Sequence, residues 1–180
     1  MVYKSKLVSD EVSNFSREIE IDESNTFLQL RNVILDSVGY TRDELDSFFL
    51  CDDDWTRHEE ITLEEMDSSS DQDIWIMDET QLNELIEDEG QRLMFVFDYM
   101  TERSFFMELK EIIPGRSLIE PICTVSKGKA PAQVVDLDEF EQKIDSAAAL
   151  SKEDLDIDLF PEDQYNEDEL PEGFDDISIN

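Results

Sequence analysis

Leu93-Met94-Phe95-Val96-Phe97, followed five residues later by Arg103-Ser104-Phe105-Phe106-Met107-Glu108-Leu109, is the stretch on which the fold turns. The first run is apolar at every position, the pattern of a central strand buried on both faces. The second alternates large apolar and polar residues and reads as its antiparallel partner. Working back toward the N-terminus, Val2–Val8 is apolar enough for a strand. In Phe15–Ile21 the residues Phe15, Arg17, Ile19 and Ile21 fall on one face. The polar run between these two strands suits a hairpin loop.

Ser24-Asn25-Thr26 offers helix caps, and Phe27, Leu30, Ile34 and Val38 recur at helical spacing before Gly39 stops the run. Short strands are expected at Ser47–Leu50 and Ile74–Met77, with Trp75 in the core, and a short helix from Thr80 through Ile86. The expected class is α+β: one mixed, mainly antiparallel sheet with packed helices, followed by an acidic C-terminal extension. The expected core is Phe15, Ile19, Ile21, Phe27, Leu30, Ile34, Leu93, Phe95, Phe97, Phe105, Met107 and Leu109.

Charge narrows the function. The chain has 180 residues with 48 Asp+Glu against 14 Lys+Arg, a formal net charge of −34. Direct binding to nucleic acid or to an anionic membrane surface works by neutralising phosphates, and this charge opposes it. No apolar run reaches the ~18 residues of a membrane helix. The N-terminus shows no signal-peptide core, and two cysteines, Cys51 and Cys123, make no disulfide framework. A cytoplasmic setting is the expectation.

The charge is unevenly placed. Residues 1–135 carry 31 acidic and 12 basic side chains, and residues 136–180 carry 17 and 2. The boundary reads at Pro131-Ala132-Gln133, giving a folded domain over 1–131 and an acidic tail over 132–180. Leu137, Phe140 and Ile144 predict a tail helix over about 137–150. Beyond it, Leu159-Phe160, Tyr165, Leu170 and Phe174 are embedded in acids. One reading is a solubilising tail. A purely solvating segment has no use for so many large apolar residues, however. Anchors spaced through an acidic background suit a segment that folds on a basic, partly apolar surface. The expected partner-binding residues are therefore Phe140, Leu159, Phe160, Tyr165, Leu170 and Phe174. Trp55 joins them; it is either a lid over the sheet or an exposed contact residue.

Candidates for chemistry are few. His58 is the only histidine and lies in a polar stretch, as a solvated residue does. Catalysis would need a nucleophile or an orienting partner beside it. Cys51 ends an apolar run and reads as a small buried hydrophobe. Asp52-Asp53-Asp54 is dense enough to attract a hard cation, with Asp71 and Asp73 as further ligands if the chain folds back. Counted from Asp53, though, an EF-hand would need Gly at His58, so a solvated acidic loop is the expected state. No catalytic, cofactor or metal residue is assigned.

The hairpin with Arg17-Glu18-Ile19, then Thr26–Leu30, then Gly39-Tyr40, Leu45 and Phe48, resembles the plasmid pRiA4b ORF-3-like family. Leu93–Tyr99 is similar to that family's strand ending in Tyr-Asp-Phe-Gly-Asp. Pro121-x-Cys123 with Gly128-Lys129-Ala130-Pro131 is similar to its closing motif. The resemblance covers about residues 1–131. Some family members are labelled mobile-element or resolvase-like, which implies a diverged enzyme or metal-binding protein as the alternative function. Glu44 stands where the family has a His, however, and Met100–Phe105 replaces its Gly-Asp-x-Trp-x-His. The resemblance therefore carries no catalytic residue onto this chain. The favoured reading is a non-enzymatic acidic protein that docks on a basic protein or large complex handling nucleic acid, RNA polymerase or a recombinase being candidates.

Overall fold

The structure is a computed structural model and describes residues 1–65 and 74–135. Strand β6 (Arg92–Asp98) lies between β3 (Ser47–Cys51) and β7 (Arg103–Ile113), antiparallel to both. Leu93 to Phe97 are all buried, as a run apolar on both faces requires. Strands β1 (Val2–Ser9) and β2 (Ser16–Asp22) form the expected hairpin and extend the sheet beyond β7. The full order is β5-β4-β3-β6-β7-β1-β2-β8. Among the described residues only the pairing of β4 (Arg57–Thr62) with β5 (Trp75–Ile76) is parallel.

Helix α1 (Phe27–Val38) begins in a capping box, with Thr26 Oγ1 accepting from the Gln29 N–H and Gln29 Oε1 accepting from the Thr26 N–H. It ends at Gly39, whose φ of +74° places it in the left-handed region. Phe27, Leu30, Ile34 and Leu35 are buried. Across the sheet the register sets Ile61, Phe48, Phe95 and Phe105 in one row. Phe27, Phe48 and Phe95 pack ring to ring at 5.5 and 4.8 Å. All twelve expected core residues fall in this one cluster.

Three expectations need correction. The sheet is not well packed with helices: among the described residues there is one α-helix, and the short helix after Thr80 is a 3-10 turn, Leu82–Glu84. Trp75 is half-buried at the rim and donates its indole N–H to Glu59 Oε2 at 3.0 Å, while Met77, two residues on, takes the core position. Strands β4 and β8 (Ile122–Lys127) were not anticipated. In β4 only Ile61 is buried, and β8 is a sheet edge with no buried residue, so neither carries apolar alternation. The expected 137–150 helix and the acidic extension from residue 136 lie outside the described residues.

Four buried polar side chains tie the elements together. Arg31 on α1 and Asp46 are 4% and 1% exposed, and Arg31 Nε donates to both Asp46 oxygens at 2.7 and 2.8 Å. Its Nη2 donates to the Arg42 carbonyl at 3.0 Å, closing the loop between α1 and β3. Burial pushes the Asp46 carboxyl upward, and Arg31 opposes that push. Arg17 sits on the inner face, as its alternation predicts. It donates to the carbonyls of Ser37, at the end of α1, and Lys127, at the end of β8. Asp22 accepts from the backbone N–H groups of Ser24 and Leu118. The described residues through Gln133 form one unit, and a second begins at Val134.

Candidate functional site

The outer face of the sheet, opposite α1, collects the side chains that the core does not use. The β3–β4 connection is a tight turn: Trp55 N–H donates to the Asp52 carbonyl and Asp52 N–H to the Thr56 carbonyl, each at 2.9 Å. Trp55 adopts φ +67°, a conformation that costs a non-glycine residue about 1 kcal/mol or more. This places its ring edge-on over Phe106 at 5.0 Å. The Arg92 guanidinium lies over the same ring, 5.0 Å from its centroid, and donates to the Asp53 carbonyl. Arg92 also approaches Glu108 at 3.6 Å. One strand over, the Arg57 guanidinium covers the Phe49 ring at 4.8 Å and approaches Glu102 at 3.5 Å. The outer face is thus a layer of rings capped by guanidinium groups.

Beside Trp55 an open cavity of about 600 Å³ is lined by Cys51 to Asp54 and Asp88 to Arg92. Five of those nine residues are carboxylates. Hydrogen bonds from Thr56 hold the Asp54 carboxyl below the usual range. Among the described residues no group of three or more His, Cys, Asp and Glu converges to hold a metal ion. The Asp52–Asp54 run is a solvated turn here; Asp71 and Asp73 lie outside the described residues.

His58 and Cys51 are not brought together by any hydrogen bond among the described residues. The His58 Nε2 meets Asp52 Oδ1 at 2.5 Å on the exposed surface. The Cys51 thiol donates to the Phe49 carbonyl at 3.7 Å, and burial raises it above the ordinary thiol range. Both conditions oppose a reactive thiolate. A separate polar cluster joins Ser47, Tyr99 and Glu60: the Ser47 hydroxyl donates to Glu60 Oε2 at 2.8 Å, and the Tyr99 hydroxyl bonds to both. Burial raises the Tyr99 phenol. Sequence reasoning passed over this cluster because its members are 39 and 13 residues apart with nothing periodic between them.

Of the expected partner-binding residues, Trp55 is half-buried at the turn just described. Phe140, Leu159, Phe160, Tyr165, Leu170 and Phe174 lie outside the described residues. What the structure adds is the state of the cations. Lys4, Arg31, Arg42, Arg57, Arg92, Arg103, Lys110 and Arg116 each stand within 4 Å of a carboxylate. Arg17 is committed to carbonyls. Among the described residues, that leaves three of the twelve cationic residues in 1–135 with no such partner, against a large excess of carboxylates.

The plasmid pRiA4b ORF-3-like protein profile matches residues 5–170. The chain belongs to the plasmid pRiA4b ORF-3-like family. The family match runs past residue 131, where the likeness of individual motifs ends. The crystal structure of protein of unknown function MM3350 from Methanosarcina mazei Go1 is similar over 92% of this chain and 91% of that one, with TM-score 0.61 and 20% identity. At that identity the likeness is one of fold. No curated protein matches.

Proposed function

We propose that this family member is a non-enzymatic acidic interaction protein that docks on a basic surface of a nucleic-acid-handling complex. The observation that carries the reading is the −34 net charge, in a chain where nine of the twelve cations in 1–135 are already bonded to carboxylates or carbonyls of the described residues. Each ion pair cancels one charge of either sign, so the carboxylates in excess of the cations stay unpaired and set the sign of the surface. Dense positive surfaces are those that hold nucleic-acid phosphates, and a polyanionic protein competes for them. The acidic tail supplies long-range attraction, and its anchors Phe140, Leu159, Phe160, Tyr165, Leu170 and Phe174 slow release. Trp55, beside the 52–54 carboxylates, is a second contact on the folded unit.

The test is capture from native extract with the tagged full-length chain. Stoichiometric recovery of one basic complex, released as salt passes physiological strength, is the expected result. Recovery of nothing, or of a complex whose retention ignores salt, removes the reading.

A further inference from the structure

The last residues of the folded unit are held in an unusual way. Gly128, at φ +72°, turns the chain away from β8, and its backbone lies so close to Asn14 that a Cβ there would stand 2.6 Å from the Asn14 carbonyl oxygen. Glycine is therefore required on two counts. From Lys129 to Gln133 the chain joins no strand. Hydrogen bonds that involve side chains fasten it to β7 and to the loop after α1 instead.

Arg103, at the start of β7, is the centre of these contacts. Its side chain is 10% exposed. Nη2 donates to the Ala132 carbonyl at 2.6 Å and Nη1 to the Gln133 carbonyl at 3.3 Å. Nε and Nη2 hold both oxygens of Glu11, at 3.0 and 3.1 Å, and Nη1 reaches Asp98 Oδ2 at 3.5 Å. The Phe97 ring lies beneath the guanidinium at 4.9 Å. The Tyr40 hydroxyl donates to the Pro131 carbonyl at 2.6 Å. Gln133 exchanges two hydrogen bonds with the Thr41 backbone: Thr41 N–H donates to Oε1 at 2.8 Å, and Nε2 donates to the Thr41 carbonyl at 2.9 Å.

We propose that residues 130–133 are a strap that opens and closes as one unit on the folded domain, with Arg103 as its latch, and that the closed strap fixes the point from which the acidic segment departs. Three observations carry this. The strap has no ladder hydrogen bonds, so side-chain bonds hold it, and each of these is individually modest. Apart from Ala130, which packs against the core, it presents little apolar surface to keep it closed. Its fastenings come from the α1–β3 loop and from Arg103, and that one guanidinium also ties the strap to Glu11 of the β1–β2 loop and to Asp98 of β6. The Tyr40 ring, tilted against Phe97 at 5.3 Å and stacked on Phe105 at 5.8 Å, lies beside it and belongs to the core that remains when the strap lifts. The inference does not depend on the docking reading.

The test is amide hydrogen exchange on the full-length chain, followed by NMR. The Thr41 amide bonds to Gln133 and to no atom of Arg103 or Tyr40, so it reports strap opening at a distance. The Met77 amide, bonded to the Thr62 carbonyl at 2.8 Å, reports the sheet. Arg103→Gln is expected to speed Thr41 exchange at least tenfold and leave Met77 unchanged. Tyr40→Phe, which removes one hydroxyl, is expected to speed Thr41 by a smaller factor in the same direction. If neither variant moves Thr41, the fastenings are independent and there is no strap. If Thr41 and Met77 accelerate together in both variants, these contacts belong to global stability and the proposal is overturned.

Discussion

Residues 1–135 and 136–180 have similar net charge, −19 and −15, but differ in how their apolar residues are arranged. In the first region apolar side chains alternate along strands and recur along one helix, so they meet in one core. In the second they are spread among acids, alone or in short groups such as Leu155-Asp156-Ile157-Asp158-Leu159-Phe160, with no long apolar run beyond residue 150. The difference teaches that a given count of large apolar residues stabilises a fold only when backbone periodicity brings them together. Otherwise it is available to a partner. The same substitution should therefore act on stability in one region and on binding in the other.

The largest expected effect breaks the first half of that comparison. Phe95 is fully buried and contacts Phe48, so Phe95→Ala should cost about 3–5 kcal/mol by denaturant titration. Phe174→Ala should leave the same titration unchanged. A loss below about 1 kcal/mol for Phe95→Ala would remove the central strand from the core.

Arg31→Ala should cost about 3 kcal/mol, because it leaves the Asp46 carboxylate buried without its cation. Replacing both residues with Ala should be less damaging than Arg31→Ala alone, since no orphaned charge remains. A double variant worse than the single one would mean that the pair acts through packing.

Asp22 sharpens the picture on the pH axis. The Ser24 backbone N–H, with further help from its hydroxyl and from the Leu118 N–H, holds the Asp22 carboxyl below its ordinary value, although burial pulls the other way. A depressed carboxyl contributes stability above its unfolded pKa, and the contribution is lost as pH falls through the folded value. Asp22→Asn should cost about 1 kcal/mol at pH 7 and progressively less as the pH drops below about 4. Denaturation midpoints measured at both ends of that range check it; a constant difference would contradict it.

The smallest effects are expected at His58 and Cys51. His58→Ala and Cys51→Ser should leave partner binding unchanged in the capture experiment, because the His58–Asp52 pair lies exposed with no nucleophile bonded to it among the described residues and the Cys51 thiol is held on the Phe49 carbonyl. Loss of binding in folded His58→Ala protein would return attention to catalysis.

The fold was legible where burial is one-sided or complete. The continuous apolar run Leu93–Phe97 and the Phe15–Ile21 alternation identified two of the sheet's inner strands, β6 and β2, and Thr26 and Gly39 marked the helix ends through cap chemistry. Strands β4 and β8 were not legible, because Arg57-His58-Glu59-Glu60 and Thr124-Val125-Ser126-Lys127 pair through backbone and keep polar side chains in solvent. Trp75 misled because an indole carries an N–H that must be satisfied, and Glu59 satisfies it only at the rim. Among candidate site features, the acidic 52–54 turn was visible in sequence. The Arg92–Trp55–Phe106 stack and the Arg103 latch were not, since each joins residues far apart in the chain. The available signal was scarcity: in a chain with 14 cations and 48 carboxylates, the position of each arginine carries information.

The central claim is that charge brings this protein to a basic partner and the tail anchors keep it there. Binding kinetics of the full-length chain against the captured complex test it directly, across salt and with Phe160→Ala and Phe174→Ala. Raising salt through the range where the screening length falls below about 8 Å should slow association and leave dissociation nearly unchanged. Each anchor variant should speed dissociation by an amount equivalent to roughly 1–3 kcal/mol, with association unaltered. Association insensitive to salt, together with dissociation unchanged in both variants, would contradict the account.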